Sequence, residues 1–175
     1  MKRAPRTRFA GLLLAITLLP AGLAGCGLFG PGPISVDLTT PNPEGLASVF
    51  VIVGDDVPKV TDSREVIELV KPDKQASYRA FVQYVVDAGP RWRRLKQTGS
   101  SVVEVAPSEK NPGTLEVRLG RKILDNEATC LAIVTSNKEG EFEMLHWDKT
   151  ALDLVEGALS YEITAGGFRR QTQPK

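Results

Sequence analysis

Two stretches of this chain, Leu46 to Val53 and Thr129 to Thr135, are apolar and β-branched almost without interruption. Runs of this length suit strands, and a strand without a polar side has to be covered on both faces. Other apolar residues alternate with polar ones. Ile34, Val36 and Leu38 are separated by Ser35, Asp37 and Thr39; Leu115, Val117 and Leu119 are separated by Glu116 and Arg118. Val103 and Val105 flank Glu104, and Phe142 and Met144 share a face of Glu141 to Trp147. This is the period-two pattern of half-buried strands. Polar turns divide them, at Pro41-Asn42-Pro43-Glu44-Gly45, Gly54-Asp55-Asp56, Pro107 to Gly113 and Ser136-Asn137-Lys138-Glu139-Gly140. Seven or so short strands joined in this way predict a mainly β fold, a β-sandwich.

A different texture interrupts the strands. Asp62-Ser63-Arg64-Glu65 has the spacing of a capping box, with a side-chain acceptor at a helix start and a glutamate three residues on. Val66, Ile67, Leu69 and Val70 continue as a helical stripe that Pro72 stops. Asp73 can cap a second helix, in which Tyr78, Phe81, Val82 and Val85 recur at i, i+3, i+4 and i+7 before Gly89-Pro90. The same residues also read as a strand, through Tyr78, Ala80, Val82, Tyr84 and Val86. The helical reading predicts an insertion at about 62–89.

Near the end, Glu156-Gly157 reads as the two-residue turn of a hairpin. That register places Leu152, Leu154, Leu159, Tyr161 and Ile163 on one face, with Asp153, Ser160 and Glu162 on the other. Gly166-Gly167 and the residues to Lys175 read as an exposed tail, so the sandwich spans 34–165.

The first 25 residues have another logic. Lys2, Arg3, Arg6 and Arg8 make a positive front, an apolar run follows from Phe9 to Leu19, and small residues follow Pro20. These are the parts of a secretory signal. The run is shorter than the roughly 20 residues that span a bilayer. It ends in Leu23-Ala24-Gly25-Cys26, which resembles the lipobox of bacterial lipoproteins. The resemblance implies cleavage before Cys26, a diacylglycerol thioether on its sulfur and an acylated amino group. Several acyl chains on one residue would hold a protein at a membrane where one chain binds only marginally. Gly27 to Pro33 is a glycine- and proline-rich tether. Lipoproteins of this kind held in the inner membrane often carry an aspartate after the lipidated cysteine. Gly27 in that position implies the outer membrane, with the domain facing the periplasm.

Removing the signal leaves about 150 residues, a usual single-domain length. The formal charge is +1 for the whole chain and, without the four signal cations, −3. No nucleic-acid partner is expected from that balance. There are two cysteines. With Cys26 committed to lipid, Cys130 has no partner for an intramolecular disulfide, and the fold has to rest on its apolar core.

Residues suited to catalysis are sparse. The chain has one histidine, His146, in His146-Trp147-Asp148, which reads as a base with its orienter or as a strand end. There is no Gly-x-Ser-x-Gly turn. One histidine and one free cysteine make no metal cluster, so no cofactor or metal is expected. Asp55, Asp56 and Asp62 read as a solvated acidic loop rather than an ordered calcium loop. Cys130 reads as a small buried apolar side chain or as a reactive thiol. The densest charge is Arg91-Trp92-Arg93-Arg94-Leu95-Lys96. Arg91, Trp92, Arg93, Arg94 and Lys96 are candidates for contact with a lipid headgroup or an acidic partner. The same run also reads as an edge strand whose charges discourage pairing.

The order of these features resembles the small outer-membrane lipoprotein of type VI secretion systems. The resemblance rests on the lipobox, on Thr40-Pro41-Asn42-Pro43-Glu44-Gly45 before Val49-Phe50-Val51-Ile52-Val53, and on Ala128 to Val134 followed by Trp147. Where that family usually has Tyr-Gln-Leu, this chain has Gly54-Asp55-Asp56. The resemblance implies a transthyretin-like sandwich with a helical insertion. It also implies a non-enzymatic anchor that binds the periplasmic end of an inner-membrane secretion subunit through a loop. The expectation is thus an envelope interaction module; the alternative is an envelope lipoprotein that binds a small molecule or glycan.

Overall fold

The computed structural model describes residues 34–40, 45–87, 91–99, 103–120, 129–155 and 157–172. The signal region, Leu23, Ala24, Gly25, Cys26, the tether 27–33 and most of the turn at 41–44 lie outside the described residues.

The described residues form a mainly β structure of two five-stranded sheets with three short helices. The strands are β1 (Ile34–Thr39), β2 (Leu46–Gly54), β3 (Ala80–Asp87), β4 (Arg91–Gly99), β5 (Val103–Pro107), β6 (Thr114–Leu119), β7 (Cys130–Asn137), β8 (Phe142–Trp147), β9 (Ala158–Thr164) and β10 (Gly167–Gln171). The helices are α1 (Ser63–Val70), α2 (Pro72–Gln75) and α3 (Lys149–Asp153). One sheet runs β10-β9-β1-β6-β5 and the other β4-β3-β2-β7-β8.

The alternating strands behave as their pattern demands. In β1, Ile34, Val36 and Leu38 are at most 1% exposed, while Ser35, Asp37 and Thr39 lie on the outer face. They meet Val117 and Leu119 of β6 and Val49, Val51, Val53, Leu131 and Ile133 of the other sheet in one core. The continuous runs acquire a second core. Phe50 and Ile52 of β2, Phe81 of β3, and Ala132 and Val134 of β7 point away from the first core, where Val57 and the α1 residues Val66 and Leu69 cover them. The fold is therefore a sandwich with a helical layer over one sheet. Asp62 starts α1 by accepting a hydrogen bond from the Arg64 backbone N–H (2.8 Å). Tyr78 ties the layer down by donating its hydroxyl to the Leu69 carbonyl (2.9 Å).

The insertion is shorter than 62–89. Helix stops at Gln75, and Ala80–Asp87 is a strand paired with both β2 and β4. Ala80, Val82 and Tyr84 face the central core, and Phe81 is buried on the opposite side. With both faces covered, apolar residues fill both the period-two and the helical positions, and pairing on two sides decides for the strand. A helix here would leave the backbone edges of β2 and β4 unpaired.

The terminal hairpin is also corrected. Asp148 caps α3 through the Ala151 backbone N–H (2.8 Å), so 149–153 is helix; Leu152 is buried, whereas Leu154 is 79% exposed. Strand β9 pairs instead with β1, in parallel, and with β10. The sandwich thus continues past residue 165. The expected tail contains β10, whose Phe168 packs on the core.

Gly99 closes β4 at φ +87°, and a Cβ there would lie 2.0 Å from the Arg79 carbonyl oxygen. Backbone must move to relieve that contact. Gly99→Ala is expected to cost at least about 2 kcal/mol in urea unfolding, more than Gly140→Ala, where the same type of turn (φ +84°) opens on free space.

Candidate interaction surfaces

Strand β4, which carries the arginine-rich run, is an edge strand. Its members do not act as one patch. Trp92 is 8% exposed, packs in the core and donates its indole N–H to the Gly113 carbonyl (3.0 Å). It is a core residue rather than a headgroup or partner contact. A lone aromatic at an inward position is easily missed between cations. Arg91, Arg93 and Arg94 are exposed and Lys96 is partly buried. A bulge separates them: Arg94 opposes Tyr84 and Lys96 opposes Gln83, so Leu95 has no cross-strand partner and is 48% exposed. Bulge and charge together are what edge strands use against pairing. Arg93 pairs with Asp87 (3.2 Å) and Arg94 donates to Gln97 (2.8 Å). Both contacts lie in solvent and stabilise little.

The opposite margin of the sandwich brings together residues from three separate stretches of the sequence. Trp147 of β8 meets Tyr161 of β9 edge-on, with centroids 6.1 Å apart at 66°; Tyr161 meets Phe168 of β10 at 6.4 Å and 84°. A groove of about 360 Å³ opens there, lined by Trp147, Leu154, Leu159, Tyr161 and Arg170 among others. The helix register hid Leu154, and the assumed tail hid Phe168 and Arg170. The signal available was a Gly167-Phe168 pair next to alternating Tyr161 and Ile163. A second cleft, about 560 Å³, lies beside the helical layer, between Asp56, Pro58, Val60, Glu65, Leu69 and Tyr78.

The outer face of the β10-to-β5 sheet is polar and partly charged. Asp37 and Glu116 are direct cross-strand partners. Partial burial, joined by the Glu116 charge, raises the Asp37 carboxyl above its ordinary value, against the Ser35 hydroxyl and Arg118. Glu116 is held low, first by a hydrogen bond from Ser108 and then by Arg118 and Lys110. Like charges facing each other across strands oppose pairing.

Other candidate groups have structural duties. His146 Nε2 lies 2.7 Å from the Val57 carbonyl. A carbonyl can only accept, so Nε2 carries the proton. Asp148 is occupied as the α3 cap, so it does not orient His146 as a base. Asp62 caps α1 and Asp55 pairs with Arg79, which leaves no shared calcium cage among those aspartates. Among the described residues no group of three His, Cys, Asp or Glu is placed to hold a metal. Cys130 is partly buried, its sulfur 4.0 Å from the Asp55 carbonyl, rather than fully enclosed. No described helix is long and apolar enough to cross a membrane.

No protein family, curated protein or solved structure matches this chain.

Two outcomes follow from these placements. Trp92→Ala is expected to lose about 3–5 kcal/mol in chemical unfolding, whereas Arg93→Glu with Arg94→Glu should change stability by less than about 1 kcal/mol. The raised Asp37 value means that the folded protein holds this proton more tightly than the unfolded one. Ionising it therefore costs stability, starting as pH rises past the unfolded carboxylate value and complete above the folded one. Asp37→Asn is expected to be more stable than the parent at pH 7, and the gap should close as pH falls below the carboxylate range. Denaturation midpoints at pH 7 and pH 3 measure it.

Proposed function

We propose that this protein is a lipid-anchored component of the bacterial cell envelope, whose β-sandwich serves as a non-enzymatic interaction and assembly module on the periplasmic face of the outer membrane. The observation that carries the reading is Leu23-Ala24-Gly25-Cys26 after a basic and apolar leader, followed by a short tether and a first strand at Ile34. Lipid on Cys26 supplies the attachment to the membrane, and the two-core sandwich supplies a rigid body with several exposed margins. The partner is an envelope protein; neither nucleic acid nor a cofactor has a part in this reading.

A narrower version is the outer-membrane lipoprotein of a type VI secretion complex, docking an inner-membrane secretion subunit. What favours it is the order of parts. The first two strands flank the Pro41-Asn42-Pro43 turn, and a helical layer inserted directly after β2 covers one sheet of the sandwich. That is the order the resemblance implies.

Metabolic labelling with radioactive palmitate tests the anchor. The parent is expected to incorporate label and to fractionate with outer membranes, and Cys26→Ser to lose the label and the membrane. A fully labelled Cys26→Ser variant rules the anchor out. Photo-crosslinking in intact cells, with the crosslinker at Leu95 or Ile67, tests the module. An envelope protein captured from either margin is expected, and capture of an inner-membrane secretion subunit supports the narrower version. Labelled protein that captures no envelope protein overturns the module while leaving the anchor intact.

A further inference from the structure

The groove between β8, α3, β9 and β10 is not explained by core packing. Its floor is aromatic and aliphatic, and one charged side chain, Arg170, lines it. We propose that this groove binds a small organic anion with an apolar or aromatic body, the body lying against Trp147 and Leu154 and the anionic group against the Arg170 guanidinium. The inference is independent of the lipid anchor and of any protein partner.

The strand register supports the placement of the cation. Arg170 opposes Tyr161 across the β9–β10 ladder, on the core side of the sheet, whereas its neighbour Arg169 opposes Glu162 on the outer side and approaches it at 3.9 Å. Among the described residues Arg170 has no carboxylate within ion-pair distance. A guanidinium presents a planar fork that matches a carboxylate or phosphate bidentately. Apolar walls on one side strengthen such a pair relative to open water.

The apolar half of the groove is prepared in advance. Trp147, Tyr161 and Phe168 hold one another edge-on in series, so the Trp147 ring is already oriented when a ligand arrives. Preorganised rings lose little freedom on binding. Leu154, just past the end of α3, is the most exposed large apolar residue described, at 79%. A ligand body lying over it removes that surface from water. The groove, at about 360 Å³, falls within the size range of small-molecule sites.

The chain contains two tryptophans, which makes the test specific. Trp92 lies in the core with its indole N–H bonded to Gly113, and Trp147 lies in the groove. The purified full chain, labelled with nitrogen-15, is titrated with 3-phenylpropionate, with neutral 3-phenylpropan-1-ol and with 3-phenylpropylammonium, each at millimolar concentration. Saturable movement of the Trp147 indole signal with the carboxylate is expected, weaker movement with the alcohol and none with the amine, while the Trp92 signal stays fixed. Arg170→Gln is expected to weaken carboxylate binding roughly tenfold, and Arg169→Gln to leave it unchanged. Both side chains are exposed, so both variants should fold; unaltered core resonances verify that. Equal binding of the three compounds, absence of a saturable Trp147 shift, or equal loss in the two arginine variants overturns the proposal.

Discussion

The structure depends on covering the β4-to-β8 sheet on both faces. Strands β2 and β7 have no polar side to offer water: Val49, Val51 and Val53 need one apolar layer and Phe50 and Ile52 need another. The β10-to-β5 sheet supplies the first layer. The second has to come from elsewhere in the chain, and α1 with the Val57 loop provides it. Burial of a large apolar side chain is worth about 1.5–3 kcal/mol. The five residues Phe50, Ile52, Phe81, Ala132 and Val134 would lose much of that without the insertion. The helices are thus part of the sandwich's stability rather than an ornament on it. Cys130 illustrates the point. Partly buried beside Asp55, it contributes to the second core as a small apolar group, without a bond to another cysteine.

Where one face of a strand is solvated, alternation was readable and correct. Ile34, Val36 and Leu38, and Leu115, Val117 and Leu119, sit inward as their spacing requires. The mainly β class and the start of α1 at Asp62 were legible for equally local reasons. Legibility failed where burial was two-sided or partners were distant. In β3, Phe81 completes a helical stripe because it is buried on the outer face while Val82 is buried on the inner one. In the last segment, β9 lies parallel to β1 with Ser35 opposite Ala158, a pairing across more than a hundred residues that no local pattern announces. The nearby hairpin looked better because Leu152 and Leu154 happen to alternate, yet the Asp148 cap commits that stretch to helix.

The candidate sites were less legible than the fold, for the same physical reason. Charge clusters draw attention in a sequence, but β4 divides its cluster between two faces with a bulge and takes Trp92 into the core. What remains there is a protected edge whose Arg93–Asp87 ion pair is solvated. The aromatic groove has the opposite history. Its rings come from β8 and β9, its arginine from β10 and its exposed leucine from the end of α3, so no window of sequence contains it. It exists because the two sheets end together at that margin, where β10 lies against β8.

The two margins of the β4-to-β8 sheet differ in what they offer another molecule. The β4 margin, bulged and positively charged, resists strand addition by another chain. The β8–β10 margin is lined instead by Trp147, Tyr161 and the Arg170 guanidinium, which among the described residues has no carboxylate within ion-pair distance, and this surface gains from being covered. Two edges of one domain therefore have opposite tendencies, one resisting strand addition and one offering apolar surface to be covered. Two inviting edges would let neighbouring copies of a domain join edge to edge; here the β4 bulge and its charges close that route at one margin.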